Sequence, residues 1–182
     1  MDDHERSRAA LRTAVRAAGG EVVGEAARRA DAMSLVERVR PDVAVVAVGL
    51  PDGDGIGAAA EITAAGYAVV LFTSHRDEAL VARARQAGVM AWLGKPLRAA
   101  DVAPTLDLAV ARFAEARALR RRLEERKVIE RAKGTLMRRW GLDEEEAFRR
   151  LRRAAMDSRR PIVEIARSLL LSASLADQSR PR

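Results

Sequence analysis

Apolar positions in the first 100 residues alternate between continuous runs and segments of helical spacing. Continuous apolar runs of this length are typical of strands that are buried on both faces of a parallel sheet. We predict such strands at residues 43–49, 68–74 and 90–96, and a further short strand at residues 21–26. Strands that alternate with helices predict a parallel α/β sheet with helices on both faces. The predicted helices lie at residues 5–18, 27–39, 56–65 and 76–87.

Residues 100–140 predict one long helix, because Pro104 in the first turn and Gly134 are the only helix-breaking residues in it. Its first half has apolar residues at a spacing of four and three, which is typical of a coiled coil. The alternative is that residues 102–110 pack on the sheet and the charged remainder is a solvated spacer. The predicted dimer seam consists of Leu106, Ala109, Phe113, Ala116 and Leu123.

Apolar residues recur at helical spacing in three segments between residues 128 and 171, which predicts a small three-helix domain. Gly141 ends the first helix, Asp143 caps the second with Glu146 three residues later, and Pro161 starts the third. The predicted core comprises Val128, Ile129, Ala132, Leu136, Trp140, Ala147, Phe148, Leu151, Ala154, Ala155, Ile162, Ile165, Ala166, Leu169 and Leu170.

These patterns divide the chain into four predicted parts. An α/β domain at residues 1–100, in which the first strand is apparently missing, is followed by a coiled-coil linker at residues 101–127. The three-helix domain spans residues 128–171, and a disordered tail is predicted at residues 172–182.

The composition excludes several kinds of site. The chain has no cysteine, which excludes disulfides, thiolate metal sites and thiol catalysis. No run approaches the roughly 18 apolar residues of a membrane span, and the first residues have no signal-peptide pattern. We therefore expect a cytoplasmic protein without a membrane partner and without a cofactor.

Charge is distributed unevenly along the chain. Residues 1–116 contain 14 Lys and Arg against 16 Asp and Glu, whereas residues 117–160 contain 16 against 8. A strongly basic block beside a nearly neutral one indicates a polyanion-binding part and a separate part. The alternative is a solvated helix surface that is rich in arginine.

Residues 2–100 resemble a response-regulator receiver domain, which has a flavodoxin-like, doubly wound fold. The resemblance rests on Asp2-Asp3 near the start, the LPDGDG loop at residues 50–55, Thr73 after one strand and Lys95-Pro96 after another. It implies carboxylates that hold magnesium, a nucleophilic Asp that takes a phosphoryl group, and a hydroxyl and a Lys that bind its oxygens.

The sequence departs from the receiver pattern at the phosphoryl acceptor. The resemblance places the nucleophile four residues before the Pro of the loop, and that residue is Ala47, whose methyl group cannot accept a phosphoryl group. Asp52 and Asp54 lie beyond it on the loop and are poor replacements. Trp92 stands where receivers usually carry a smaller aromatic switch residue.

Two interpretations of the remaining pocket residues stay open. Asp2, Asp3, Thr73, Trp92 and Lys95 are either the remnant of a phosphoryl pocket that binds an anion or small effector, or ordinary structural residues. In the second case Lys95 pairs with an acidic residue and Thr73 only ends a strand. Because the chain begins where the first strand should end, we expect either an upstream start or a rearranged sheet.

Residues 128–171 resemble the ANTAR domain, named after the AmiR and NasR transcription antitermination regulators. The shared residues are Ala132, Lys133, Gly134, Leu136, Met137, Gly141, Glu145, Glu146, Ala147, Phe148, Leu151, Arg152, Ala155, Ile165 and Ala166. The resemblance implies a regulator that binds paired hairpin loops of nascent mRNA and blocks a terminator. It also implies RNA contacts from Lys133, Arg152, Arg153, Ser158 and Arg159.

Basic residues outside the predicted core extend this candidate RNA interface. Arg149 and Arg150 share the outer side of the second helix, and Arg160 lies in the turn before the third, where free N–H groups favour an anion. Trp140 and Phe148 are predicted to be core residues, so we expect bases to stack on arginine instead.

The predicted function is therefore a dimeric, RNA-binding antitermination regulator whose receiver cannot be phosphorylated. Two alternatives remain: a DNA-binding regulator, because three short basic helices also describe helix-turn-helix folds, and an interaction protein whose receiver docks a partner. A regulatory protein or small effector would replace phosphorylation as the input. No enzymatic activity is expected, since the recognisable catalytic set lacks its nucleophile.

Overall fold

The computed structural model describes residues 1–75 and 77–178, with side chains through residue 175. The chain divides into two compact units, Met1–Ala116 and Arg117–Arg182. The first contains α1 (Glu5–Ala17), α2 (Ala32–Val39), β1 (Val43–Ala47), β2 (Gly49–Leu50), β3 (Gly53–Asp54), α3 (Gly55–Ala64), β4 (Ala68–Thr73), α4 (Glu78–Gln86) and β5 (Ala91–Gly94). Helix α5 (Ala99–Trp140) continues into the second unit, which also contains α6 (Glu144–Ser158) and α7 (Ile162–Gln178).

The first unit is built on a parallel sheet with the strand order β1-β4-β5. All six residues of β4 are buried, as its continuous apolar run predicts. Val69 and Leu71 pack with α2, α3 and α4, whereas Val70 and Phe72 pack with α1 and α5. Side chains alternate between the faces of a strand, so helices cover both faces, and the predicted flavodoxin-like receiver fold is confirmed.

The predicted loop after β1 contains a small antiparallel hairpin, β2 with β3. Its last residue, Asp54, caps α3 by accepting a hydrogen bond from Ile56 N at 3.1 Å. A Cβ atom at Gly55 would lie 1.9 Å from the carbonyl oxygen of Ala47. Glycine is therefore required here, and the close approach fixes the loop against the end of β1.

The predicted strand at residues 21–26 is wrong, because that segment pairs with no strand of the sheet. Its one backbone bond to the chain start runs from Asp2 N to the oxygen of Ala26, at 3.2 Å. On the other side, Ala47 N donates to the oxygen of Met1 at 2.9 Å. Met1 and Asp2 thus lie between this segment and β1, beside a cavity of about 680 Å³ lined by Leu11, Val22, Val43 and Val45, among others.

The start of α5 belongs to the core of the first unit. Val102 and Ala109 are buried there, and Leu106 packs against the same cluster. The predicted seam is therefore wrong at Ala109, which this core buries completely, whereas Leu106 is only half-buried and stays a candidate. Phe113 and Ala116 are half-buried and Leu123 is exposed, so they remain candidates for a dimer seam.

The second unit closes a core between α5, α6 and α7. Its buried apolar residues are Ala132, Leu136, Ala147, Leu151, Ala155 and Ala166. The predicted positions of Gly141 after α5 and of the Asp143 cap are confirmed: Gly141 has a φ of 64°, and Asp143 Oδ1 accepts from Glu146 N at 2.8 Å.

Three predicted core residues of this unit lie on its surface instead. Trp140 and Phe148 are 49% and 43% exposed, and Ala154 is also exposed. The buried positions of α5 and α6 are mostly alanines and leucines, and large rings are excluded from so small a core. The predicted disorder of residues 172–182 is also wrong as far as residue 178, where α7 ends, and the rest lies outside the described residues.

Within the described residues, every helix is too short or too polar to cross a lipid bilayer.

Candidate functional site

The remnant of the receiver pocket lies where β1, β4 and β5 end. Asp2 is fully buried, and its Oδ2 forms an ion pair with Lys95 Nζ at 2.5 Å. Its Oδ1 accepts a hydrogen bond from the backbone N–H of His4 at 3.0 Å. The Lys95 ammonium also lies 4.8 Å from the centroid of the Phe72 ring. Asp2 and Lys95 therefore pair directly with each other. This pairing is what the second interpretation, in which they are ordinary structural residues, predicts.

Thr73 and Trp92 also have internal roles. The Thr73 hydroxyl oxygen accepts a hydrogen bond from His75 N at 3.1 Å, and its carbonyl accepts one from Lys95 N at 3.0 Å. Trp92 is half-buried against the core that faces α2, α3 and α4. Both residues thus stabilise the ends of β4 and β5.

Ala47, the predicted position of the phosphoryl acceptor, is 1% exposed. The two acidic residues of the following loop point to other partners. Asp52 accepts hydrogen bonds from the backbone N–H groups of Arg29, at 2.7 Å, and Ala30, at 2.9 Å, which hold the pKa of its carboxyl below the ordinary value. Asp54 caps α3 and forms an ion pair with Arg83. Both loop carboxylates are therefore engaged by other groups of the first unit.

The receiver family's magnesium ion needs several oxygen ligands, and we tested the available donors against that need. Ligand atoms of Asp2, Asp3 and His4 lie within 4.8 Å of one another. Both oxygens of Asp2 are already engaged, by Lys95 and by the His4 amide, and Asp3 is hydrogen-bonded to the His4 ring. Ala47 offers no side-chain oxygen. These residues therefore do not fit a magnesium site.

In the second unit, the side chain of Lys133 is buried and links two helices through ion pairs. Its ammonium forms ion pairs with Glu144 Oε1, at 2.7 Å, and with Glu130 Oε2, at 2.8 Å. Hydrogen bonds that the ammonium donates to Glu130 and Glu144 raise the pKa of Lys133, and the lysine in turn lowers the pKa of Glu144. The ammonium links α5 to α6, so it cannot contact a phosphate without losing these partners.

Most of the other predicted contacts are exposed but paired. Arg149 forms ion pairs with Glu145 and Glu146, Arg150 pairs with Glu146, and Arg160 pairs with Glu164. Arg153 lies 3.9 Å from Asp157. Exposed pairs within one helix contribute little and exchange readily for a phosphate.

Two predicted contacts differ from these. The guanidinium groups of Arg152 and Arg159 are exposed and have no acidic partner among the described residues. Arg159 has a φ of 53° and ends α6, so its side chain leaves the helix at the turn before α7. The hydroxyl of Ser158 donates to the carbonyl oxygen of Ala154 at 2.6 Å, so its proton is used in a hydrogen bond within α6.

The prediction missed two exposed rings beside these cations. The Lys133 ammonium lies 5.9 Å from the Phe148 ring centroid, and the Arg139 guanidinium lies 5.4 Å from that of Trp140. Helical periodicity places both rings on the edge of an apolar stripe and cannot tell burial from exposure. The sequence feature that could have indicated their exposure is the large size of both rings among predicted core positions that are often alanine.

Family models match both units. The response regulator receiver domain matches residues 1–107, and the ANTAR domain matches residues 117–170. The transcriptional regulatory protein PdtaR of Mycobacterium tuberculosis is 41% identical over 177 residues, which cover 93% of this chain and 86% of that protein. The nitrate regulatory protein of Klebsiella oxytoca is 56% identical over 48 residues, 26% of this chain and 12% of that protein.

Solved structures resemble the first unit. One is the signal receiver domain of a modulated diguanylate cyclase from Desulfovibrio desulfuricans, with a TM-score of 0.59 and 25% identity over 63% of this chain and 93% of that one. Another is a two-component response regulator of the LuxR family from an Aurantimonas species. Its TM-score is 0.56 and its identity 29%, over 60% of this chain and 81% of that one.

Proposed function

This chain belongs to the response regulators in which a receiver domain is followed by an ANTAR domain, and we propose that it is an RNA-binding transcription antitermination regulator. Its ANTAR domain binds paired hairpin loops of nascent mRNA and thereby keeps a terminator from forming. The ANTAR match over residues 117–170 carries this proposal. The protein acts in the cytoplasm, where nascent mRNA is made, and catalyses no reaction.

The charge distribution supports a polyanionic partner. Arg152 and Arg159 have no acidic partner among the described residues, and the paired arginines of α6 surround them. Lysine and arginine contacts to phosphates release counterions, which makes the affinity large and dependent on salt. Arg152 and Arg159 therefore contribute phosphate contacts, whereas Lys133 holds α5 and α6 together.

The receiver acts as a regulatory or dimerisation module that is not phosphorylated. Ala47 supports this role, because a methyl group stands at the acceptor position and the nearby carboxylates are engaged elsewhere. The regulatory input is then a protein partner, a small effector or the dimer itself. In a dimer, two ANTAR domains bind two hairpins at once, which raises the affinity through effective concentration.

Selection and sequencing of RNA on the purified full-length protein tests RNA binding. The selected two-hairpin RNA is then compared with duplex DNA of equal length at several salt concentrations. We expect Arg152→Ala to weaken RNA binding and to reduce the slope of log K against log salt by about one. The matched control is Arg85→Ala, because Arg85 is an exposed arginine on α4 of the first unit. A preference for duplex DNA would instead support a DNA-binding regulator.

Treatment with acetyl phosphate tests the receiver separately. Intact-protein mass spectrometry is expected to detect no phosphoryl adduct on the wild-type chain. An adduct on an aspartate would show that a residue other than Ala47 accepts the phosphoryl group. A response regulator with an intact acceptor, treated in parallel, verifies the reagent.

A further inference from the structure

The second unit exposes two of the six aromatic side chains of this protein. Trp140 is 49% exposed at the end of α5, and Phe148 is 43% exposed on α6. The core of this unit is complete without them, since its buried residues are Ala132, Leu136, Ala147, Leu151, Ala155 and Ala166. Burial in this unit therefore does not explain why large rings occupy these positions.

The two rings lie along one strip of the second unit, which consists of Lys133, Met137, Trp140 and Phe148. Lys133, Met137 and Trp140 follow each other on α5 at intervals of four and three residues, and therefore share one face of the helix. Phe148 lies against Lys133, and Met137 is 36% exposed. Lys133 and Trp140 are seven positions apart, which corresponds to about 10 Å of helix. This length accommodates about three stacked nucleotides, at about 3.4 Å for each base.

A cation accompanies each ring. Arg139 lies beside Trp140 and Lys133 beside Phe148, at 5.4 and 5.9 Å from the ring centroids. The charge of Lys133 is compensated by Glu130 and Glu144, so it orients the Phe148 ring more than it attracts an anion. Arg139 has no acidic partner among the described residues and can reach a phosphate beside a base stacked on Trp140.

We propose that Trp140 and Phe148 form a stacking platform for unpaired bases of RNA. The platform rests on the proposed RNA-binding function and names what that function recognises: bases in single-stranded loops rather than a paired stem. Proteins read RNA sequence mainly from unstacked loop bases, which stack on aromatic side chains. A ring that stacks a base typically contributes enough affinity that its removal weakens binding about tenfold.

Fluorescence titration tests the platform in the full-length protein. In a Trp92→Phe background Trp140 is the only tryptophan, so its emission reports on that ring alone. The probes are a hairpin RNA selected on the wild-type protein and the same hairpin with abasic loop nucleotides, which keeps the phosphates but removes the bases. We expect the first RNA to quench Trp140 and the abasic RNA to bind with little quenching.

Substitutions give a second measurement. Trp140→Leu and Phe148→Leu are expected to weaken binding of the intact loop about tenfold each while leaving the salt slope unchanged. Trp140→Phe should retain most of the affinity. The matched control is Leu171→Ala, because Leu171 is an apolar side chain of the same unit that is 63% exposed. Circular dichroism checks that each variant keeps its helices.

The outcomes separate the two proposals. If the wild-type protein binds the selected RNA but the leucine variants bind it equally well and Trp140 is not quenched, the platform is wrong and RNA binding stands. If these variants alter only self-association, the strip is a protein contact and the platform is again wrong. If no RNA binds the wild-type protein, the proposed function fails and the platform with it.

Discussion

At the scale of single residues, identical side chains have different roles that depend on their partners. Lys95 neutralises the buried carboxylate of Asp2, whereas Lys127 forms an exposed pair with Glu124. Arg150 is paired with Glu146, whereas Arg152, two positions later, has no acidic partner among the described residues. A basic residue therefore serves stability or ligand binding according to what lies within about 4 Å of its charge.

Lys95→Met is expected to destabilise the first unit by about 3 kcal/mol, because it leaves a buried carboxylate without its cation. The estimate is at the low end for buried pairs, since the Lys95 side chain is 27% exposed. Urea denaturation followed by Trp92 fluorescence in a Trp140→Phe background measures this change. Lys127→Met is the control, and equal losses in the two variants would contradict a special role for the buried pair.

Protonation of the Asp52 carboxylate at low pH is expected to destabilise the first unit. Its pKa is held below the ordinary value of 3.8 by backbone hydrogen bonds from Ala30 and Arg29. The folded state therefore favours the ionised carboxylate, and the resulting stabilisation is present above the ordinary pKa and is lost as the pH falls through the lowered pKa. We expect the stability difference between wild type and Asp52→Ala to shrink as the pH falls below the ordinary pKa of 3.8. Thermal unfolding across this range measures it, and a constant difference would contradict the prediction.

At the scale of elements, α5 contributes different segments to two cores. Val102 and Ala109 pack on the sheet, whereas Ala132 and Leu136 pack with α6 and α7. Gly141 then ends the helix and Asp143 starts the next one. The positions of the helix ends follow from these local residues, whereas the choice of buried face depends on what each segment meets.

Asp143→Ala is expected to destabilise the second unit by about 1 kcal/mol, because Glu146 N loses its acceptor at the start of α6. Asp143→Asn, which keeps a capping oxygen, should restore most of the loss. Denaturation followed by Trp140 fluorescence in the Trp92→Phe background measures both variants. If alanine and asparagine behaved alike, the side-chain cap would not be the cause.

At the scale of the whole molecule, the acidic balance of residues 1–116 and the basic balance of residues 117–160 fall on either side of the boundary between the two compact units. The first unit thus resembles a regulatory module by fold, and the second concentrates the charge that an RNA ligand requires. The proposed dimer brings two basic units to one RNA.

Dimerisation is expected to depend on the part of α5 that leaves the first core. Leu119 and Leu123 are 58% and 52% exposed there, one helical turn apart. The double variant Leu119→Glu with Leu123→Glu should have half the mass of the wild type by light scattering, because like charges would face each other across the seam. Leu171→Glu is the control. A wild-type protein of monomeric mass would contradict the proposed dimer.

The sequence alone determined the order and type of most elements, the helix ends at Gly141 and Asp143, and the presence of an alanine at position 47. These features depend on local periodicity, turn chemistry or the identity of one residue. Tertiary structure decided the rest: residues 21–26 lack a neighbouring strand, Ala109 is buried in the core of the first unit, and Lys133 pairs with two carboxylates. It also left Trp140 and Phe148 outside the core. Burial and pairing depend on residues distant in sequence, and a helical pattern identifies an apolar stripe without showing how much of it another element covers.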